Sequence, residues 1–311
     1  AFSLPWGTTE LPSPLLPAWL EPLFAALEGS TVQHLALSDS PMLDGLAPLG
    51  ALSRLPVLQS LDLGRCRFKA VPSQLTALGS RLSSLTLSRN PLGTASEAGW
   101  QPLASLTALT ALDVRRCELE CLPSQLSALA ALQSLMAGSN ILLGKGGESA
   151  FAALGFLTRL TALGLSACSL ECLPTQLSPM SSSLASLNLT GNPGLGTAAS
   201  LPGLDKLTAL TSLSLSHCGL TSLPQQASAL QRVAELQLAG NALREEEGRP
   251  AGLHILSALS ALTQLDLSSC ALQRLPSSLA HLCRLRCLGL HGNSAMRHNR
   301  GARSEMWQPL S

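Results

Sequence analysis

Residues 109–119 read Leu-Thr-Ala-Leu-Asp-Val-Arg-Arg-Cys-Glu-Leu. Aliphatic side chains stand at the first, fourth, sixth and eleventh places, and a cysteine stands at the ninth. The fourth and sixth places are two residues apart, which is the spacing of side chains on one face of a strand. The same places recur in units that begin at Val32, Leu58, Leu82, Leu109, Leu132, Leu160, Leu184, Leu210, Val233, Leu262 and Leu285. One such unit cannot bury its apolar face alone. Stacking on its neighbours buries a continuous core, and the strands of successive units become a parallel sheet.

A second order lies over the first. At the ninth place Asn90, Asn140, Asn192, Asn241 and Asn293 interleave with Cys66, Cys117, Cys168, Cys218 and Cys270. These ten residues are expected to form an inward-facing structural ladder. The Cys-type units carry a short L-P-x-x-L tail, as in Leu122-Pro123-Leu126, Leu173-Pro174-Leu177 and Leu275-Pro276-Leu279. Proline disfavours helix at the residue before it, so these tails predict extended or 3-10 segments. The longer Asn-type units predict short helices over Glu97–Leu106, Ser149–Leu157, Leu201–Leu207 and Leu253–Leu259.

The repeated L-x-x-L-x-L-x-x-(N/C)-x-L pattern over residues 32–293 resembles the leucine-rich-repeat family. The resemblance implies an α/β solenoid, a horseshoe of about eleven units. A parallel sheet would line its concave side, and the convex side would alternate short helices with extended or 3-10 segments. The Asn/Cys alternation is similar to that of the ribonuclease-inhibitor branch, and the L-P-x-x-L tail to intracellular Ras-suppressor-type repeats. The chain fits neither branch cleanly, so neither branch's partner carries over.

Three regions are expected: an N-terminal cap or partial repeat over 1–31, the solenoid over 32–293, and a C-terminal tail or truncated repeat over 294–311. Pro17, Trp19, Leu20, Leu23, Phe24 and Leu27 mark an amphipathic helix over 17–28. Trp307-Gln308-Pro309-Leu310 echoes Trp100-Gln101-Pro102-Leu103, which leads into another strand. The end is therefore read either as a unit cut short or as a last repeat serving as a cap. The chain begins with Ala and shows no signal or transit pattern. Either a leader has been removed or the first residues are missing.

Composition excludes several functions. Only 13% of the residues are charged and the net charge is +1, against about 25% charged in average domains. Global charge thus gives no strong pull on a polyanion. The long uncharged stretch from Glu171 to Asp205 is broken by Pro174, Pro179, Pro193 and Pro202, so no membrane insertion is expected. Ladder cysteines of alternate units stand two strand spacings apart, roughly 10 Å, too far for a disulfide. With an odd count of nine cysteines, this points to an intracellular, reducing compartment.

His281, Cys283, Cys287 and His291 suggest zinc only superficially. Cys287 and His291 lie four residues apart on one strand, roughly 13 Å, too far for one ion. Gly138–Gly146 departs from a phosphate-loop pattern in its spacing and in the residue after Lys145. The sequon Asn188-Leu189-Thr190 lies on a strand and is read as chance. No nucleophile–base–acid set is visible. No cofactor, metal or small-molecule substrate is expected.

The concave face is built from the third, fifth, seventh and eighth places, which are mostly small: Ser84, Ser88, Ala111, Ser134, Gly138, Ala162, Ser212 and Ser214 among them. One patch departs from this. Arg65, Arg89 and Arg116 hold the eighth place in three successive units, with Arg115 at the seventh place and Asp62 and Asp113 at the fifth. Adjacent strands stack the three arginines in a column about 10 Å long. Guanidinium forks suit carboxylates and phosphates. Two readings stand: an anchor for an acidic peptide or RNA phosphates, or a solvated Asp–Arg lattice that keeps the face soluble. His217, Asp266 and His291 form a weaker second group. Glu245–Glu247 with Arg249 reads as an exposed loop, and Arg297, His298, Arg300 and Arg303 as a basic tail.

The function expected is a non-enzymatic protein-interaction scaffold, an adaptor or peripheral subunit of a large assembly. It would bind protein partners through the concave face. The alternatives are a ribonucleoprotein subunit touching RNA through the Arg column and basic tail, and a targeting module of a longer signalling protein or enzyme.

Overall fold

The computed structural model describes residues 8–10, 17–43, 47–196, 201–244 and 251–298. The side chains of residues 8–10, 17–21, 42, 47–48 and 297–298 lie outside that description, as do Glu245–Glu247 with Arg249, Arg300, Arg303 and the 307–310 echo. The chain divides into two compact units, Ala1–Ser169 with Pro174–Leu184, and Leu170–Leu173 with Ala185–Ser311.

In the first unit seven three-residue strands follow one another: β1 Thr8–Glu10, β2 His34–Ala36, β3 Ser60–Asp62, β4 Ser84–Thr86, β5 Ala111–Asp113, β6 Ser134–Met136 and β7 Ala162–Gly164. Each pairs in parallel with the next. The second unit holds β8 Ser186–Asn188, β9 Ser212–Ser214, β10 Glu235–Gln237, β11 Gln264–Asp266 and β12 Cys287–Gly289, paired in the same way. β1 stands ahead of the first repeat read from the sequence, and α1, Pro17–Leu27, follows it. The tail opens with a 3-10 turn, Ser294–His298.

The registers place fourth-place leucine beside fourth-place leucine, as in Leu61↔Leu85 and Leu85↔Leu112. None of these three is more than 2% exposed, while their strand neighbours are half-buried. Two inward aliphatic side chains per repeat, at the fourth and sixth places, thus enter the core, and the third and fifth places are left to face outward.

The ninth-place ladder closes the turn after each strand. Asn140 Oδ1 accepts from the backbone N–H groups of Cys117 (2.8 Å) and Leu119 (3.2 Å). Its Nδ2 donates to the Val114 and Ala137 carbonyls. Asn90, Asn241 and Asn293 repeat all four bonds with their own neighbours. Asn192 accepts from Leu170 N and donates to Leu189 O. The cysteines work in the other direction. Cys117 Sγ donates to Leu87 O of the preceding unit (3.2 Å), and Cys66, Cys168, Cys218 and Cys270 make the equivalent bond. An amide offers two donors and an acceptor, whereas a thiol offers one weak donor. The two residue types therefore do different work in alternate turns.

The side opposite the strands carries short helices. The L-P-x-x-L tails become 3-10 turns, Ser124–Ala128, Thr175–Met180 and Ser277–His281, and so do the tails after Val71-Pro72 and Leu223-Pro224, Ser73–Leu78 and Gln225–Ala229. Of the four helices expected in Asn-type units, only α2, Glu97–Ala104, is α-helical; it starts after an extended Ser96, with Glu97 in its first turn. The others are 3-10: Leu143–Phe156, Leu204–Lys206 and Leu253–Ala258. A left-handed glycine kinks the first at Gly147 (φ 62°) and precedes the other two at Gly203 (φ 82°) and Gly252 (φ 68°). A 3-10 turn rises about 2.0 Å per residue against 1.5 Å, covering the span with less chain.

These tails also stitch neighbouring repeats. Gln125 Nε2 donates to the Glu97 carbonyl and carboxylate (3.1 and 2.7 Å), and Ser124 Oγ to the same carboxylate (2.9 Å). Glu148, Thr175 and Gln176 repeat the arrangement. Gly144, in the stretch that superficially suggests a phosphate loop, has a packing role. Its N–H donates to Cys168 O (2.9 Å), and a Cβ there would collide with the Ser169 carbonyl.

Candidate functional site

The eighth place of each unit has a left-handed backbone. Arg65, Arg89 and Arg116 lie at φ 57°, 59° and 55°, in line with Asp39 and Ser139 in the flanking units, at 57° and 59°. This place follows the strand, and its N–H continues the ladder outward: Arg65 N to Ser88 O, Arg89 N to Arg115 O, Arg116 N to Gly138 O. The backbone is thus tied, while the side chain leaves the turn and is exposed in all three arginines. Glycine takes the same place at Gly191, Gly240 and Gly292. The left-handed region costs a residue with a Cβ about 1 kcal/mol or more, and glycine nothing.

The expected residues sort into two groups. Arg65 Nη1 pairs with Asp39 Oδ1 at 3.2 Å, and Arg115 Nη2 with Asp113 Oδ2 at 2.6 Å. Arg89 and Arg116 make no ion pair with any described carboxylate. The Arg65 guanidinium, then partial desolvation, then Arg116 hold Arg89 below the ordinary arginine range. The fifth-place aspartates have a local task as well. Asp62 Oδ1 accepts from Gly64 N (2.8 Å) and Asp113 Oδ1 from Arg115 N (2.9 Å), closing the end of the strand. Burial pushes the Asp62 carboxyl up, against the Gly64 bond that lowers it.

In the second unit Asp266 Oδ1 accepts from Ser268 N (2.9 Å), and Ser268 Oγ lies 2.7 Å from His291 Nδ1. The three resemble a hydrolytic set by residue type only. The carboxylate holds the serine's backbone and not the imidazole, and Ser268 is 1% exposed. They line a cavity of about 260 Å³ with Glu235, Gln264 and Cys287. His217 is absent from that lining; it lies over Gly240, where a Cβ would meet its ring. No group of three metal-ligating side chains forms among the described residues.

Residues 261–282 match the family model described as Leucine Rich Repeat. These are the residues that end one strand turn, form β11 and enter the next 3-10 turn. The chain is built of leucine-rich repeats.

Solved leucine-rich-repeat structures agree in fold. An internalin (inlF) from Listeria monocytogenes superposes with TM-score 0.60 at 21% identity, over 85% of this chain and 69% of that one. The TLR13–ssRNA13 complex gives 0.61 at 22%, over 88% of this chain and 45% of that one. The mouse RP105/MD-1 complex gives 0.55 at 23%, over 86% and 44%. The chain thus spans less than half the length of the last two. No curated protein matches the sequence. No helix among the described residues of this leucine-rich-repeat chain is long and apolar enough to cross a membrane.

Sequence reasoning missed Asp39, the partner of Arg65. The signal was there: Asp39 holds the eighth place one unit earlier, but Ser40 follows it where Asn or Cys marks the other leucine-rich repeats. It also missed Glu235, Gln237 and Gln264, which share the strand face with Ser212 and Ser214 through side-chain bonds.

Proposed function

We propose that this leucine-rich-repeat chain is a non-enzymatic protein-interaction scaffold, an adaptor or peripheral subunit of a larger assembly. Its partner lies across the strand face expected to be concave. Arg65, Arg89 and Arg116 anchor an acidic segment of that partner. One observation carries the reading: Arg89 and Arg116 stand exposed in one row and make no ion pair with any described carboxylate. The repeat's turn imposes the left-handed conformation whatever the residue, so the reading rests on the exposed side chains and their charge and not on the strain. The small side chains around the column leave room for a chain to approach closely. The structural role of the ladder cysteines fits a reducing compartment.

A second reading takes RNA as the partner. The solved TLR13 complex contains single-stranded RNA, and arginine columns suit phosphates. The two readings separate by experiment. Affinity capture from the native source, with wild-type bait and the Arg65/Arg89/Arg116→Glu variant, is followed by mass spectrometry. Protein partners lost on the variant support the scaffold; partners retained by it move the interface off this face. Capture that nuclease treatment abolishes, and that falls steeply with salt, supports the RNA reading.

A further inference from the structure

The column's charge pattern narrows what it can hold. This step rests on the anchor reading above and names the anchored group.

Three guanidiniums start from adjacent strands, about 4.8 Å apart, with the same backbone conformation and therefore the same direction of departure. Arg89 is the middle one, and both neighbours are cations. Asp39 neutralises Arg65 at one end, and Asp113 takes Arg115 in the row beside. A single carboxylate offers two oxygens and one charge, and one arginine fork satisfies it. That would leave the other unpaired guanidinium as it was. A phosphoryl group carries three terminal oxygens and nearly two charges near neutral pH, enough to accept from Arg89 and Arg116 together and to relieve their mutual repulsion.

The acidic residues argue against a longer polyanion. Asp39 closes the column at one end, and Asp62 and Asp113 run beside it in the fifth-place row. Four guanidiniums (Arg65, Arg89, Arg115, Arg116) against three carboxylates (Asp39, Asp62, Asp113) leave one net positive charge. An RNA backbone laid along this face would meet the aspartates at its next phosphates, and like-charge contacts of that kind reject the wrong partner. A single compact dianion on Arg89 and Arg116 extends no further along the row, and Asp39, the one carboxylate that acts on Arg89, is itself paired with Arg65.

We propose that the Arg65–Arg89–Arg116 column is a receptor for one phosphorylated side chain, a phosphoserine or phosphothreonine on a partner protein. Binding of the partner would then depend on its phosphorylation state.

The test titrates the full chain, labelled with nitrogen-15, with four probes: a short Gly/Ala peptide carrying one phosphoserine, the same peptide with glutamate there, inorganic phosphate, and oligouridylate. The arginine Nε–H signals are followed, assigned by single Arg→Lys variants. The phosphopeptide should shift the Arg89 and Arg116 signals and bind roughly tenfold or more tighter than the glutamate peptide. Its affinity should fall as pH drops below about 6, where the phosphoryl group takes a proton. Arg89→Glu should abolish the binding, and Arg89→Lys should weaken it. Equal affinity for the glutamate peptide overturns the inference and leaves the acidic anchor standing. Inorganic phosphate or oligouridylate binding as tightly as the phosphopeptide also overturns it, in favour of a free anion or RNA. No shift from any probe, with partners still lost on the triple Arg→Glu variant in affinity capture, overturns this inference alone. Partners retained there overturn the anchor as well.

Discussion

The Asn140 side chain reaches back one repeat and takes the backbone amide of Cys117 at 2.8 Å, while Cys117 donates its own thiol to Leu87 one repeat further back. Three repeats are thereby linked through two side chains. The two links are of unequal strength, because Asn140 also accepts from Leu119 and donates to two carbonyls.

Asn140→Ala should therefore destabilise far more than Cys117→Ala. The first takes the partner from two buried amides and from the Val114 carbonyl, and leaves the Ala137 carbonyl with the Cys168 thiol alone, at about 1–3 kcal/mol for each group that finds no substitute; a total loss of roughly 3 kcal/mol or more is expected. The second loses one weak donor, about 1 kcal/mol. Urea unfolding of both variants checks the order; equal losses would contradict it.

The cysteines should divide by reactivity. Burial pushes the Cys117 thiol up to about 12, and Cys66 and Cys168 to about 11. Little nucleophilic thiolate exists there at ordinary pH. Iodoacetamide at pH 8 should modify exposed Cys283 and Cys287 in the folded chain. Cys121 should lag, since burial, then Glu97 and Glu120, raise its thiol. Ladder cysteines should react only on unfolding. Peptide mapping by mass spectrometry reads the order, and a ladder cysteine modified as fast as Cys287 would refute it.

Glu97 gives a pH signature. The Gln125 bond, then the Ser124 bond, hold its carboxyl below the ordinary 4.5. A depressed carboxyl stabilises the fold above its unfolded value, and that contribution is lost as pH falls through the folded value. The stability gap between wild type and Glu97→Gln should be widest at neutral pH and should close below about 4. Denaturant midpoints at several pH values test this, and a gap that widens on acidification would reverse the assignment.

Arg89→Gly should stabilise the fold by up to about 1 kcal/mol, because glycine accepts the left-handed turn without a Cβ clash. Arg65→Gly should gain less, since it also breaks the Asp39 pair, worth about 0–1 kcal/mol on a surface. If Arg89→Gly instead lowers the thermal midpoint, the side chain holds the turn and the left-handed cost is outweighed.

The strands were legible because places four and six leave leucine no alternative but burial, and Leu61, Leu85 and Leu112 all obey. The ladder was legible because Asn and Cys recur at one fixed offset. The Arg column was legible as a row, since the repeat fixes which residues stack. Its pairing was not. Asp39 lies 26 residues before Arg65, outside the alternation that guided the reading, and Arg115 turns to Asp113 on its own strand. The helix type was missed in three units because hydrophobic spacing marks which residues turn inward but not whether the turn closes as α or 3-10.

The shared left-handed conformation at residues 39, 65, 89, 116, 139 and 167 makes this row of the first unit a set of interchangeable sockets. Each presents its side chain from the same backbone conformation, whatever the residue, and those from Asp39 to Ser139 are held by backbone bonds that ignore their identity. Chemistry can thus be rewritten socket by socket without re-folding the scaffold beneath, and the order Asp-Arg-Arg-Arg-Ser-Ala is one inscription among many that this frame would accept.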